Sequence, residues 1–180
     1  MSTVERTYTA AEVDDMSLER KLRLYAVLSR RLTQNIKFDV QVISRSQAAW
    51  VLDEITEGGG TYNSMRSEAV LDLIERALDH KCHVRVGREG SPVVYIKPHT
   101  PANDKQRLVT YHELASMADA AYADEISLNI HDRTEAWYRD DIFEPTEKAL
   151  EFVKSMCEKY PDRDSEWTPN FMTELRLWWD

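Results

Sequence analysis

The sequence is short of glycine, and its few glycines lie in two places only. Three of the five form the run Gly58 to Gly60, and the other two are Gly87 and Gly90. Three consecutive glycines end a helix, so we expect a turn or hinge there. Because this run neither follows a predicted strand nor carries the lysine of a phosphate-binding loop, the sequence predicts no nucleotide site at the glycines.

Cysteines are also rare, and long apolar runs are absent. The two cysteines, Cys82 and Cys157, stand in a chain without an export signal, so we expect them to be reduced and buried. No run approaches the roughly 18 apolar residues that a membrane span needs. The polar start MSTVERTYTA lacks the apolar core of a signal peptide. The sequence therefore predicts a cytoplasmic protein with no membrane association.

The charge is unevenly distributed along this acidic chain of 180 residues, whose net charge is -9. Residues 17–47 contain seven basic and two acidic side chains, whereas residues 100–180 contain nine basic and eighteen acidic ones. One basic and one acidic end favour head-to-tail association or a charged partner. We therefore expect binding to another protein and a homodimer, while solubility alone also explains the acidic part.

Periodicity in the first part of the chain predicts helix, strand, helix, helix and hairpin. Ser17 is a candidate N-cap for a helix to about Thr33, and residues 36–43 alternate as a half-buried strand does. A helix with Trp50 ends at the glycines, and a longer helix ends near His80. Alternation in residues 82–86 and 93–96 around a glycine turn predicts a β-hairpin.

The second part of the chain has a similar mixture. Thr110 and Glu113 have capping-box spacing, which predicts a helix starting there, and residues 125–130 have the pattern of a strand. A segment with Trp137, helical or extended, precedes a helix that ends near Tyr160. Phe171, Leu175 and Trp178 share one helical face, so a C-terminal helix is expected.

A weak internal repeat links the two parts. Ala49-Trp50-x-x-Asp53-Glu54-Ile55 is echoed by Ala136-Trp137-x-x-Asp140-Asp141-Ile142, and residues 67–81 by residues 146–160. The predicted fold is therefore α+β, with two weakly related helix-strand-helix-helix halves around a central β-hairpin. We expect an N-terminal arm (1–16), a first half (17–98) and a second half (104–180) in one compact unit.

The leading functional prediction is a non-enzymatic protein-interaction or regulatory module. An arginine stripe on the first helix can contact an acidic surface, although such stripes are often only solvated. Two adjacent tryptophans cannot easily face one core from a single helix, so we expect Trp178 to dock on the protein and Trp179 to contact a subunit or partner. The predicted partner-binding residues are Arg20, Arg23, Arg30, Arg31, Trp178 and Trp179.

A DNA-binding regulator is the first alternative, because the element order across residues 18–97 resembles that of a winged helix-turn-helix domain. This likeness is one of architecture and not of sequence. Its recognition helix would contact bases with its first residues, and the hairpin would contact the backbone. The acidic side chains on that helix oppose this alternative. The DNA-contacting candidates are Tyr62, Asn63, Arg66, Arg85 and Arg88.

A divalent-metal-dependent enzyme is the second alternative. If the two halves are related by a two-fold axis, Asp53 and Glu54 could approach Asp140 and Asp141 and bind Mg²⁺ or Mn²⁺. Acidic pairs are common on protein surfaces, so the preferred prediction is no metal site. No serine or cysteine stands in a recognisable nucleophile context. We therefore predict no catalytic residue and no cofactor.

Overall fold

The structure is a computed structural model that describes residues 15–21, 37–56, 64–98 and 104–180. It has the predicted α+β class, with a seven-stranded antiparallel sheet. No helix within the described ranges is long and apolar enough to cross a bilayer. Residues 18–21 are helical. The elements bounded within the described ranges are β1 (Lys37–Val42), α1 (Arg45–Ile55), α2 (Ser67–Asp79), β2 (His83–Glu89), β3 (Ser91–Lys97), α3 (Asp104–Ala120), β4 (Glu125–Ile130), β5 (Arg133–Arg139), β6 (Ile142–Pro145), α4 (Glu147–Lys159) and β7 (Glu174–Trp178).

The strands lie in the order β1-β2-β3-β7-β4-β5-β6. Two groups of neighbours in sequence, β1 to β3 and β4 to β6, are therefore joined by β7, which pairs with β3 on one side and β4 on the other. The predicted hairpin is confirmed as β2 and β3, and Gly90, with φ of 78°, turns the chain between them. Strands from both predicted halves thus share one sheet.

One face of the sheet carries the main core. Side chains alternate along each strand, so valine, isoleucine and leucine residues such as Val84, Ile96 and Leu177 point to the same face and are fully buried. α1 lies against β1 and β2, α2 packs between α1 and α3, and α3 packs against β7 and β4. Ser44 caps α1 by accepting a hydrogen bond from the Gln47 backbone N–H. This layer is a conventional helix-on-sheet core.

The predicted C-terminal helix is wrong, because those residues form β7. In and directly beside β7, buried residues alternate with more exposed ones. The buried residues are Thr173, Leu175, Leu177 and Trp179. This period of two is that of a strand with one face on the core, and β7 forms hydrogen-bonded ladders to β3 and β4. Phe171, Leu175 and Trp178 also fit a helical spacing, because a stretch this short can match both periods by chance.

Two other predictions in the second half are also wrong. α3 begins at Asp104, and Thr110 lies inside it, where its hydroxyl donates to the Gln106 carbonyl instead of capping the helix. The order of the second half is helix, three strands, helix and strand, not helix-strand-helix-helix. Trp50 lies on α1 whereas Trp137 lies on β5, so these matched segments differ in secondary structure.

Candidate interaction site

α4 is amphipathic in sequence but is little buried in the structure. Thr146 caps it by accepting from the Ala149 backbone N–H at 3.3 Å, and Ala149 is its only buried residue. Its apolar face, with Val153 and Met156, is half-buried, and the side chain of Phe152 is 60% exposed. An apolar helix face of this kind normally packs on a core. Here it lines a cleft.

The cleft beside α4, called here the α4 cleft, has a volume of about 490 Å³. It is lined by α4, with Phe152 and Met156, and by the segment 163–170, with Trp167 and Pro169. Ligand and peptide sites are typically concave and apolar with a few polar groups placed among apolar walls. The α4 cleft is more polar than this, because five charged residues line it beside its apolar ones: Lys105, Glu135, Arg163, Asp164 and Glu166. Of the three carboxylates, only that of Glu135 is buried.

A β-bulge places Glu135 in the cleft. Ala136 pairs with Leu128 and Thr134 with Asn129, so Glu135 is an extra residue between them. Bulges redirect a side chain out of the regular alternation and often occur beside functional sites. The Glu135 carbonyl also accepts the Thr146 backbone N–H at 2.8 Å. The bulge is therefore connected directly to the start of α4.

The two cysteines have different environments, as their burial shows. Cys82 lies in the main core, and burial raises the pKa of its thiol to about 11. Cys157 is half-buried and lines the α4 cleft, where its thiol donates to the Asp164 carbonyl at 3.6 Å. The prediction of two buried cysteines is thus met by Cys82 alone. Alkylation of the Cys157 thiol can therefore report whether the cleft is occupied.

The face of the sheet opposite the main core is polar and is held together by ion pairs. Arg85 donates to Asp39 and to Glu174, at 2.9 Å in each pair, and its guanidinium lies 4.7 Å from the centroid of the Tyr95 ring. Burial lowers the pKa of Arg85, but Glu174 and Asp39 raise it more, so the net pKa lies above its ordinary value. These contacts tie β1, β2 and β7 together.

A second set of ion pairs on this face involves Arg176 of β7. Its guanidinium donates to Glu89 at 3.0 Å and to Glu125 at 2.6 Å, which links β7 to β2 and β4. A polar pocket of about 350 Å³ beside these networks is lined by Lys97 and His131 among others. The network residues are engaged with each other, so we assign this face a structural role.

The predicted partner-binding residues do not form one surface. Trp179 is 1% exposed, and its indole N–H donates to the Ala121 carbonyl at 3.1 Å, so the expectation of a partner contact there is wrong. Trp178 lies on the polar face of the sheet and is half-buried. Arg20 is exposed. The other predicted arginines, Arg23, Arg30 and Arg31, lie outside the described residues.

The predicted DNA-contacting arginines all have protein partners. Arg66 donates to the Tyr122 hydroxyl at 2.9 Å, and Arg88 donates to the Gly90 carbonyl at 2.8 Å. Arg85 is engaged by two carboxylates on the polar face, and the hairpin that carries it lies inside the sheet instead of projecting as a wing. Tyr62 and Asn63 lie outside the described residues.

The predicted metal ligands are not brought together. Asp53 and Glu54 are exposed on α1, which lies against β1 and β2, whereas Asp140 and Asp141 form the turn between β5 and β6. Four strand spacings of about 4.8 Å separate β2 from β5, or roughly 19 Å. Asp140 and Asp141 have φ of 48° and 63°, and two-residue hairpin turns favour Asp at such positions. Turn geometry therefore explains this acidic pair.

Metal binding has no support elsewhere in the described ranges. No group of three or more His, Cys, Asp or Glu side chains there is arranged to hold an ion. His80 contacts the Glu113 carboxylate at 2.9 Å, which links α2 to α3. Cys82, two residues after His80, is buried in the main core.

The residues of the α4 cleft were missed because the sequence assigned the apolar face of α4 to a core. One signal in the sequence was Phe152, an aromatic residue that is not among the positions predicted to face a core from this helix, Ala149, Leu150, Val153, Met156 and Cys157. Trp167 was a second signal, since it stands among polar residues just before Thr168 and Pro169, where the C-terminal helix was expected to start. Neither signal reveals that the two segments line the same cleft.

Fold and cleft together define an α+β protein in which, over the described residues, a seven-stranded antiparallel sheet is covered by helices on one face, with a partly apolar cleft at one side. Comparisons of the chain with protein-family models, with curated proteins and with solved structures find no match. The proposal for its function therefore depends on the geometry of the cleft.

Proposed function

We propose that the protein is a non-enzymatic protein-interaction or regulatory module that binds a macromolecular partner in the α4 cleft. The observation that carries this proposal is the apolar face of α4, which lines a cleft instead of packing on the core. Exposed apolar patches bounded by polar residues typically mark interaction sites. The partner would supply the packing that α4 lacks.

The free energy available from burying Phe152 supports a specific contact. Burying a phenylalanine side chain fully contributes about 1.5–3 kcal/mol, and Phe152 is largely exposed. Aromatic residues in a central pocket commonly dominate binding energy, and Trp167, which also packs against the main core, lines the same cleft. A partner that buries Phe152 beside Trp167 would therefore make a specific contact.

The test is an affinity capture with the full-length protein as bait, comparing the wild type with Phe152→Ser. We expect a partner that is retained by the wild type and lost with Phe152→Ser. The matched control is Ile43→Ser, because Ile43 is 72% exposed and follows β1 at the opposite edge of the sheet. The same proteins captured by all three baits would contradict the proposal.

A second measurement locates the contact. The partner, once purified, is expected to slow the alkylation of Cys157 by a thiol reagent, because Cys157 lines the cleft. Cys82 will not contribute, since its burial and high pKa suppress the reactive thiolate. Cys157→Ser provides the background. Unchanged alkylation in the saturated complex would place the partner elsewhere.

A winged-helix-like DNA-binding regulator is the second candidate. Its support is the order of elements from the helical residues 18–21 through β1, α1 and α2 to the hairpin of β2 and β3. Anisotropy of labelled duplex DNA at several salt concentrations tests it. Binding that weakens steeply with salt and with Arg66→Ala would favour this candidate. No binding at low salt would contradict it.

The homodimer and the related halves are finer proposals. The opposite charges of residues 17–47 and 100–180 support association of two copies. The matched lengths and spacing of α2 and α4 support a relation between the halves. Sedimentation velocity over a range of protein and salt concentrations tests the dimer. A single monomeric species at all concentrations would contradict it.

A further inference from the structure

Glu135 is an unusual residue in the α4 cleft, because its charge is buried. The side chain is 9% exposed, and apolar residues such as Ile130 and Val153 line the same cleft. A buried carboxylate is costly unless a cation or several hydrogen bonds compensate it. What the cleft can bind therefore depends on which cation pairs with the Glu135 carboxylate.

In the structure that cation is Arg133. Its guanidinium lies 2.6 Å from Oε1 of Glu135, while the Arg133 side chain is 62% exposed. The pair is thus buried at the carboxylate and exposed at the cation. An arginine that is mostly solvated loses little when it turns into water, so another cation can replace it.

We propose that the α4 cleft binds a basic peptide segment, whose lysine or arginine side chain pairs with Glu135 while a neighbouring apolar side chain packs on Phe152 and Trp167. This inference rests on the proposed function and specifies the chemistry of the partner. The segment lies against α4, and its cation replaces Arg133 at the carboxylate.

The charges around the cleft support a cationic occupant. Asp164 and Glu166 line it with Glu135, against Lys105 and Arg163. Residues 100–180 as a whole carry twice as many acidic as basic side chains, which attracts a basic segment over a longer range. An anionic side chain would meet the buried Glu135 carboxylate, and like charges repel more strongly where water is partly excluded.

The walls of the cleft suit the stem of a lysine or arginine as well as its charge. Such side chains bury their methylene groups along apolar surface and place the charged end in a polar site. Trp167 also lines the cleft, and a cation over an indole ring gains further energy. The cleft therefore offers both apolar surface and carboxylates to such a side chain.

The test is a selection of random 12-residue peptides, displayed on phage, against the full-length protein. The selected peptides are synthesised with a fluorescent label, and their affinities are measured by anisotropy. We expect them to contain lysine or arginine beside an aromatic or aliphatic residue. Replacing the lysine by norleucine, which keeps the length and removes the charge, should weaken binding at least tenfold.

Two variants of the protein test the pairing in opposite directions. Glu135→Gln keeps the shape of the side chain and should weaken binding of the lysine peptide at least tenfold. Binding of the norleucine peptide should be no weaker to this variant than to the wild type. Arg133→Ala removes the competing cation and should tighten binding several-fold. Glu144→Gln is the matched control, because Glu144 is an exposed carboxylate on β6. Thermal melts confirm that each variant is folded.

The outcomes separate this inference from the proposed function. Peptides that depend on Phe152 but bind equally well with lysine or norleucine would overturn the inference and leave the interaction module intact. Affinity that is unchanged in Glu135→Gln, or weakened in Arg133→Ala, would also overturn it. If no selected peptide is lost with Phe152→Ser, both proposals fail.

Discussion

α2 and α4 have the same length and the same spacing of apolar residues, yet only one of them belongs to the core. α2 buries five residues, whereas α4 buries Ala149 alone. α2 lies between α1 and α3 and over β2, while α4 lies beside β5 near one edge of the sheet. An amphipathic pattern therefore specifies a helix with an apolar face, and the position in the sheet decides whether that face is covered.

The two helices also differ in how they are attached. α2 is linked to α1 through Arg45, which contacts Glu68, Asp72 and Glu75 at 2.6 to 3.2 Å, and to α3 through the Glu113 carboxylate. The part of the chain that the structure describes shows no such ion pair from α4 to another element. α4 instead has a side-chain cap, Thr146, at its N-terminus. The N-cap residue of α2, Arg66, makes no side-chain capping hydrogen bond.

The largest expected effect is a loss of stability in the core helix. Ile74→Ala should lower the free energy of unfolding by about 3 kcal/mol, because it opens a cavity at a fully buried site. Val153→Ala, at the matching position of α4, should lower it by less than about 1 kcal/mol, since the side chain faces the cleft. Urea unfolding followed by circular dichroism measures both. Equal losses would show that α4 is packed as α2 is.

The next effect concerns the caps. Thr146→Ala should destabilise the protein by about 1 kcal/mol, because it removes the bond to the Ala149 N–H. Thr146→Ser keeps the hydroxyl and serves as the control. Arg66→Ala should change the free energy of unfolding by at most about 0.5 kcal/mol, through its exposed contact with Tyr122. A larger loss at Arg66 than at Thr146 would reverse the comparison.

A smaller effect is expected from the link between α1 and α2. Arg45→Ala should lower the urea midpoint slightly at low salt, and the difference from the wild type should fade at 1 M salt, where charges are screened beyond about 3 Å. Lys154→Ala on α4 is the control and should show no salt-dependent difference. A salt-independent loss in Arg45→Ala would indicate packing of its stem instead of charge.

The smallest effect is pH-dependent. Arg76, through a hydrogen bond of 2.5 Å, and then His80 lower the pKa of Glu113 below its ordinary value, partly opposed by burial. A carboxylate with a lowered pKa stabilises the fold fully above its unfolded pKa of about 4.3, and this contribution is lost as the pH falls through the folded value. The wild type should therefore exceed Glu113→Gln in urea midpoint at pH 7, with the gap closing below about pH 4. A gap that does not narrow at all as the pH falls below about 4 would contradict this linkage.

The sequence predicted the elements whose signals are local. The strand at residues 36–43, the helix that ends near His80 and the hairpin are confirmed as β1, α2 and the pair β2–β3, because alternation, helical periodicity and turn residues all lie within each segment. The α+β class follows from these elements. The order of the strands could not be predicted, since it depends on which distant segments pair.

The candidate site could not be predicted for the same reason. Thr173 to Trp179 fits a helix or a strand from spacing alone, and only the ladders to β3 and β4 decide between them. Glu135 looks like an ordinary acidic residue of a strand, and the bulge that buries it arises from the register of β5 against β4. Both features are set by partners far away in sequence, which propensity does not report.

The position of β7 has a consequence for how the chain folds. Val94 pairs with Leu177, and Ile126 pairs with the same residue from the other side, so the two groups of strands are joined only after the chain has been made as far as residue 178. Until then β3 and β4 each have an unpaired edge, which is a template for aggregation. Pairing over such a long loop is slow. We therefore expect a late, slow step in refolding in which β7 enters the gap, and a need for protection of the two open edges while the chain is being synthesised.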